Sequence, residues 1–488
     1  MKNQEQFNRF IACHPHAHHS FFRRPHWDRR AFFKLAGAGL TGSFLTLGTK
    51  QLDAAEVVAQ AQVITRNTAK HVIFILMEGG PSHVDTFDLK MIPGVTPNNL
   101  NPERIGGTLW PTALMPKLAG HLGEIAIIRS MRSWALVHEI GRAWMQVGRN
   151  PNAREAAIAP HIGSIVGLEK EPERLAHQVF PAFIALNAES ANGPGYFSGR
   201  YAPFKVTTTT AGLTNITHAD GEARFAERYS QLQLLDEPLR GTAITASPLG
   251  HDAEDMREFY AAANKLVHNE AINQAFSFTP EDSARYGSDS FGDACLVAKQ
   301  ILAARQGTRF IQIAFGTWDM HRNLYSSLPA QTTRFDNGLS ALIKDLKVAG
   351  LYDETLIVAG GEFGRSVGAL NGQAGRDHYL QQSFLLLGAG VRGKTLGATD
   401  PTGGQTIVPG WARERDVRIE DIEATIYSAL GINWTTIRQD DPLGIGFPYV
   451  PFSQDDVYGP INELWDRTNT PTPLTGGRRG NSGRSSLP

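Results

Sequence analysis

Three short polar clusters in this chain gather carboxylates and imidazoles, and each directly follows an apolar, β-branched run. The run at 71–77 leads into Glu78-Gly79-Gly80-Pro81-Ser82-His83-Val84-Asp85-Thr86-Phe87-Asp88, and that at 309–315 into Gly316-Thr317-Trp318-Asp319-Met320-His321. The third, 355–359, leads into Gly360-Gly361-Glu362-Phe363-Gly364-Arg365-Ser366, while Gly375-Arg376-Asp377-His378-Tyr379 stands just before a further apolar run at 383–387. Pooled, Asp85, Asp88, Asp319, His321, Glu362, Asp377 and His378 offer oxygen and nitrogen donors without sulfur. That set suits a divalent metal: Zn²⁺, Mn²⁺, Fe, Mg²⁺ or Ca²⁺. Asp319 and His321 stand two apart, so in an extended segment both side chains face one side and can grip one ion. Any one of these carboxylates alone reads as well as a loop residue bonded to a backbone amide or an arginine. Convergence at three strand ends is what favours a metal or oxyanion site.

The Gly79-Gly80-Pro81-Ser82 turn has the glycines that let a backbone approach a phosphate. It lacks the Gly-Lys-Ser/Thr ending of a Walker loop and the spacing of a dinucleotide fingerprint. Gly80-Pro81-Ser82-His83-Val84 also lacks the last glycine of a nucleophile elbow, so Ser82 reads first as a turn or cap residue and second as a nucleophile.

These clusters need elements that bring them together. The runs at 71–77, 124–128, 182–186, 309–315, 355–359 and 383–387 read as buried strands, and 254–270, 289–306 and 332–349 as helices. Near-continuous apolar strands imply a sheet covered on both faces, and their alternation with helices implies an α/β fold with a mostly parallel sheet. In such sheets ligands bind outside the carboxyl ends of the strands, where three of the clusters fall. Residues 188–248, rich in Gly, Thr and Pro, read as a surface insertion, and the tail 468–488 as disordered.

The chain has 488 residues with 47 Lys+Arg against 48 Asp+Glu. A formal charge of −1 gives none of the basic excess that nucleic-acid binding requires. Cys13 falls in a segment expected to be removed, leaving Cys295, so neither a disulfide framework nor a cysteine zinc site is open to the mature chain. Residues 1–61 read as a twin-arginine signal and linker. Asp28-Arg29-Arg30-Ala31-Phe32-Phe33-Lys34 precedes a glycine-broken apolar run at 35–48, with cleavage expected after Ala61 or Ala55. The expectation is export to the periplasm or cell envelope with no membrane span after signal removal. The His-rich tract at 13–19 leaves with the signal.

Four blocks together resemble the DUF1501 family, a sulfatase-like branch of the alkaline phosphatase superfamily. They are VIFILMEGGPSHVDTFDLK at 72–90, Trp318-Asp319-Met320-His321, Glu362-Phe363-Gly364-Arg365 and Gly375-Arg376-Asp377-His378. The resemblance implies one alkaline-phosphatase-like domain over 62–467: a three-layer sandwich with helices on both faces and metal-holding loops at the strand ends. It implies metal ligation by Asp319, His321, Glu362, His378 and Asp85, and substrate contacts from Arg365 and Arg149. Two departures stand out. Glu78 occupies the place where catalytic superfamily members carry an Asp. His138-Glu139-Ile140-Gly141-Arg142 with Gly148-Arg149 is similar to the sulfatase nucleophile segment, but His138 stands where Cys, Ser or Thr is expected. His138 is then open to three roles: nucleophile, general base or metal ligand. Arg142 would hold an oxyanion. Two functions follow: a metal-dependent hydrolase of phosphate or sulfate esters of small molecules or glycans, or a non-catalytic relative that binds anionic glycans or an envelope partner. A structural envelope protein using the insertion for contacts is a third.

Overall fold

The computed structural model describes residues 63–214, 217–240, 252–267 and 269–465. The expected signal at 1–61, the expected tail at 468–488 and the last residues of the 188–248 stretch lie outside them. All six expected strands form. They are β1 (His71–Leu76), β2 (Ile125–Arg132), β3 (Phe183–Leu186), β5 (Phe310–Ala314), β6 (Thr355–Gly360) and β7 (Gln381–Leu387), joined at the edges by β4 (Phe204–Val206) and β8 (Lys394–Leu396). The sheet order is β8-β2-β7-β6-β1-β5-β3-β4. Only β7 runs against its neighbours β2 and β6; every other pair is parallel.

The strands are apolar at consecutive positions because both faces are covered. Ile73, Ile75, Ile311, Ile313, Ile357 and Leu385 face one core, with α5 (Ser290–Ala303) and α6 (Leu324–Val348). Val72, Phe74, Leu76, Phe310, Leu356 and Phe384 face the other, with α2 (Ile162–Lys170) and α7 (Ile419–Ala429). The strand period of two thus divides one hydrophobic run between two cores, giving the three layers.

α6 begins at Leu324, eight residues before the expected 332. The threonines suggest a helix start, but Thr332 does not cap. Its hydroxyl donates 2.8 Å back to the Leu328 carbonyl, in the turn that carries Pro329, and Leu324, Leu328 and Phe335 continue one buried face. The 188–248 stretch is not wholly peripheral: it supplies β4 to the sheet edge and a helix, α3 (Gly221–Arg240); the helix expected at 254–270 forms as α4 (Asp252–Leu266).

Candidate metal centre

β1 lies between β5 and β6 and parallel to both, so the loops after all three leave from one sheet edge. The fourth cluster arrives by a two-residue ribbon in which His378 pairs with Arg365 and Tyr379 with Gly364. A second arm comes from α1 (His138–Val147), whose first residue is His138.

These elements bring four side chains together: His138, Asp319, His321 and His378, with donor atoms within 4.8 Å of one another. His321 Nε2 lies 3.1 Å from Asp319 Oδ1 and 2.9 Å from His378 Nε2. His138 Nε2 and His378 Nε2 stand 3.4 and 3.7 Å from the same oxygen. Donors 2.0–2.1 Å from a tetrahedral ion are about 3.3 Å apart, so these separations match the edges of such a polyhedron. The far side of each ring is already engaged. His138 Nδ1 donates 2.6 Å to Glu362 Oε1, His321 Nδ1 donates 3.0 Å to Asp377 Oδ1, and His378 Nδ1 donates 2.7 Å to the Leu136 carbonyl. Each partner is an acceptor, which puts the proton on Nδ1 and leaves the Nε2 lone pair turned inward. His321 and His378 then aim two lone pairs at each other across 2.9 Å. His138 Nε2 is buried and without a hydrogen-bond partner. Such an arrangement is repulsive unless a cation or proton lies among the nitrogens, and the residues fit a divalent metal.

The charges agree with this geometry. The hydrogen bond that His138 donates to Glu362, opposed by partial burial and supported by Asp319, raises the His138 pKa. Partial burial would raise that of Asp319, but the Arg365 guanidinium, 2.5 Å away, and the neighbouring imidazoles hold it below the usual carboxylate range. Burial and the adjacent Arg365, His138 and His321 lower that of His378.

Of the residues singled out by sequence, Asp319, His321 and His378 come together with His138. Glu362 stands behind His138, its carboxylate accepting the Gly79 amide at 2.9 Å. Gly79 is required there: φ is +107°, and a Cβ would lie 2.4 Å from the Asp319 nitrogen. Asp85 is elsewhere, fully buried against Arg376 at 2.7 Å and accepting from Ser82 Oγ at 2.5 Å and the Tyr325 hydroxyl at 2.7 Å. Ser82 is engaged by that bond. Asp88 pairs with Lys90 and Arg129. Glu78 accepts from Ser190 at 2.7 Å. Arg365, 1% exposed, turns inward to the carbonyls of Gly79, Gly80 and Arg376 as well as to Asp319. Arg149 is buried under Phe447 and donates to the Pro448 and Tyr449 carbonyls, away from the crevice. Arg142, one turn beyond His138, is partly exposed and 3.6 Å from Glu139.

Sequence reasoning missed Arg376, the buried counter-charge of Asp85, and the Leu136 carbonyl that orients His378. The first had a signal in the Gly-Arg-Asp-His block. The second, a backbone group, had none.

Residues 69–441, well over half of the chain, match the family described as Protein of unknown function (DUF1501). The chain belongs to the DUF1501 family. The four blocks that suggested it all lie within the matched residues. No curated protein matches this DUF1501 chain. Solved structures overlap with it in general outline. Ps i-CgsB in complex with k-i-k-neocarrahexaose is 10% identical, with 80% of this chain and 77% of that one covered and a TM-score of 0.38. A phosphonate monoester hydrolase from Silicibacter pomeroyi is 12% identical over 75% and 74%, TM-score 0.36. An alkaline phosphatase superfamily protein from Vibrio parahaemolyticus is 10% identical over 76% and 68%, TM-score 0.35. Among the described residues no helix is long and apolar enough to cross a membrane.

Proposed function

We propose that this chain is a metal-dependent hydrolase of phosphate or sulfate esters, exported by the twin-arginine signal at 1–61 and acting on small-molecule or glycan esters in the periplasm or cell envelope. One observation carries the reading: three imidazoles, each with Nδ1 tied to an acceptor, turn Nε2 toward one point beside Asp319 Oδ1. When bound, a divalent cation there supplies Lewis-acid polarisation of a phosphoryl or sulfuryl oxygen. The protein's own groups do the rest. His138, Asp319, His321 and His378 hold the cation. Asp319 and His321, 46% and 36% exposed, form the open lip at which an ester arrives. Arg142, on the His138 side of α1, is the guanidinium with a free face for an anionic oxygen, since Arg365 and Arg149 are turned into the protein.

A second reading has its own support. Four protein donors close a tetrahedral shell, as in structural zinc sites, and position 138 carries no hydroxyl or thiol. A closed centre suits a binding protein for anionic glycans or an envelope partner. Elemental analysis of the exported protein, beside Asp319→Ala and His321→Ala, separates metal from no metal. One equivalent in the native chain, lost in folded variants, supports the centre, and turnover in a phosphatase and sulfatase screen then decides for the hydrolase. A native chain without metal would sink both metal readings.

A further inference from the structure

Glu362 has a place in the centre that its residue type alone does not disclose. Its side chain is fully buried, its backbone carbonyl is held by the Ser133 hydroxyl at 2.7 Å, and its carboxylate is pinned by the Gly79 amide at 2.9 Å. It therefore has one position. The loops after β5 and β6 carry Asp319, His321 and, through the ribbon, His378, whereas His138 comes from a separate element, α1. α1 comes close to Glu362 at Gly141, where a Cβ would stand 3.0 Å from Glu362 Cβ and 3.3 Å from its Cγ. Gly141 is three residues beyond His138, on the same helix face. The missing side chain lets the helix start settle on the carboxylate, and the Phe363 ring, 4.8 Å from that of His138, closes the other side.

We propose that Glu362 is the positioning residue of the centre: through His138 Nδ1 it fixes the tautomer and direction of the helix-borne imidazole, so that Nε2 completes a site for one zinc-class cation. The donor set gives the class. Three imidazole nitrogens and a single carboxylate favour Zn²⁺ and its d-block neighbours over Mg²⁺ or Ca²⁺, which need oxygen-rich shells. The carboxylates a second ion would need are held elsewhere, Asp85 by Arg376, Asp88 by Lys90 and Arg129, and Glu362 by His138 and Gly79. The inference rests on the metal reading above but not on turnover.

The test is a double-mutant cycle read as Zn²⁺ affinity, measured on the exported, metal-stripped protein by competition with a chromophoric chelator. The native chain is expected to bind one equivalent of Zn²⁺ and to discriminate strongly against Mg²⁺. Glu362→Gln, which keeps the shape and removes the charge, is expected to weaken Zn²⁺ binding about 10–100-fold. His138→Ala weakens it as well, and adding Glu362→Gln to that variant is expected to change affinity less than about twofold, because the carboxylate then has no ring to direct. Thermal midpoints of the metal-free variants control for folding. Should Glu362→Gln not fold, Glu362→Asp, one methylene short of His138, takes its place. Native affinity in the single variant, or independent losses that multiply in the double variant, would overturn the proposal. So would two equivalents in the native chain. Absence of Zn²⁺ binding overturns it together with the metal reading, whereas a cycle as expected without ester turnover removes the hydrolase alone.

Discussion

Asp85 and Asp319 are the same residue type at equivalent places, each in a loop after a central strand, yet the fold uses them differently. Asp85 and Arg376 are an ion pair at 2.7 Å with both side chains fully buried. Removing the carboxylate leaves a buried guanidinium without its counter-charge, so Asp85→Ala is expected to cost about 3–5 kcal/mol. Asp319 is half exposed, and without it Arg365 keeps three backbone carbonyls. Asp319→Ala is therefore expected to lose metal with a far smaller loss of stability. Urea midpoints of the two variants check this, and equal midpoints would show that the Asp85–Arg376 pair carries no special stability. The same contrast marks what the sequence could disclose about the site. Asp319, His321 and His378 were legible because their spacing and strand-end position are local features. The roles of Asp85 and Glu362 were not, since Arg376 lies 291 residues from the first and His138 224 residues from the second. Only the folded sheet puts those pairs in contact.

At the scale of elements, the strands were the most readable part of the chain. Burial on both faces makes them continuous apolar runs, and all six expected ones form within a few residues of their expected ends. Helix starts were harder, as the eight-residue shift of α6 shows, because a threonine caps or back-bonds according to tertiary surroundings. The approach of α1 to the strand-end loops was not legible, although Gly141 makes it possible. Gly141→Ala would gain up to about 1 kcal/mol of helix propensity while asking Glu362 to shift by a few tenths of an ångström, two effects of opposite sign. Gly141→Val settles the direction. Its branched side chain overpacks the contact with Glu362 and Phe363, so stability should fall by about 1–3 kcal/mol and Zn²⁺ affinity by about tenfold or more as His138 is displaced. Thermal denaturation and chelator competition read the two quantities. Native affinity in a folded Gly141→Val protein would mean that the depth of α1 does not govern the centre.

The molecule as a whole buries imidazoles outside the metal centre, and these give its stability a pH dependence. His161 is fully buried: its Nδ1 caps α2 by accepting the Gly163 amide at 2.8 Å, so Nε2 donates to Gln312 Oε1 at 2.7 Å and the ring is neutral. Burial lowers its pKa to about 3, and that of His71, which donates to the Thr308 carbonyl, to about 4. Above pH 6.5 folded and unfolded chains agree in the protonation of these groups. Below it the unfolded chain takes up protons that the folded chain refuses, so stability falls on acidification by about 1.4 kcal/mol per pH unit for each ring, until each folded pKa is reached. Glu423 opposes them. Burial raises its pKa to about 8, so the folded chain keeps a proton that the unfolded chain loses from about pH 4.5, and stability falls as pH rises toward 8. Between pH 6.5 and 5 two rings outweigh one carboxyl; above 6.5 only the carboxyl acts. These three groups therefore place their joint stability maximum near pH 6.5. His161→Asn keeps a capping side chain but cannot titrate, and should flatten the acid limb by one proton's slope whatever its offset at neutral pH. Glu423→Gln should flatten the alkaline limb and, by removing the opposing carboxyl, steepen the acid limb between about pH 5 and 6.5 by one proton's slope. Urea midpoints at intervals from pH 4.5 to 8.5 report both slopes, and an unchanged acid limb in His161→Asn would mean that its ring accepts a proton inside the folded core.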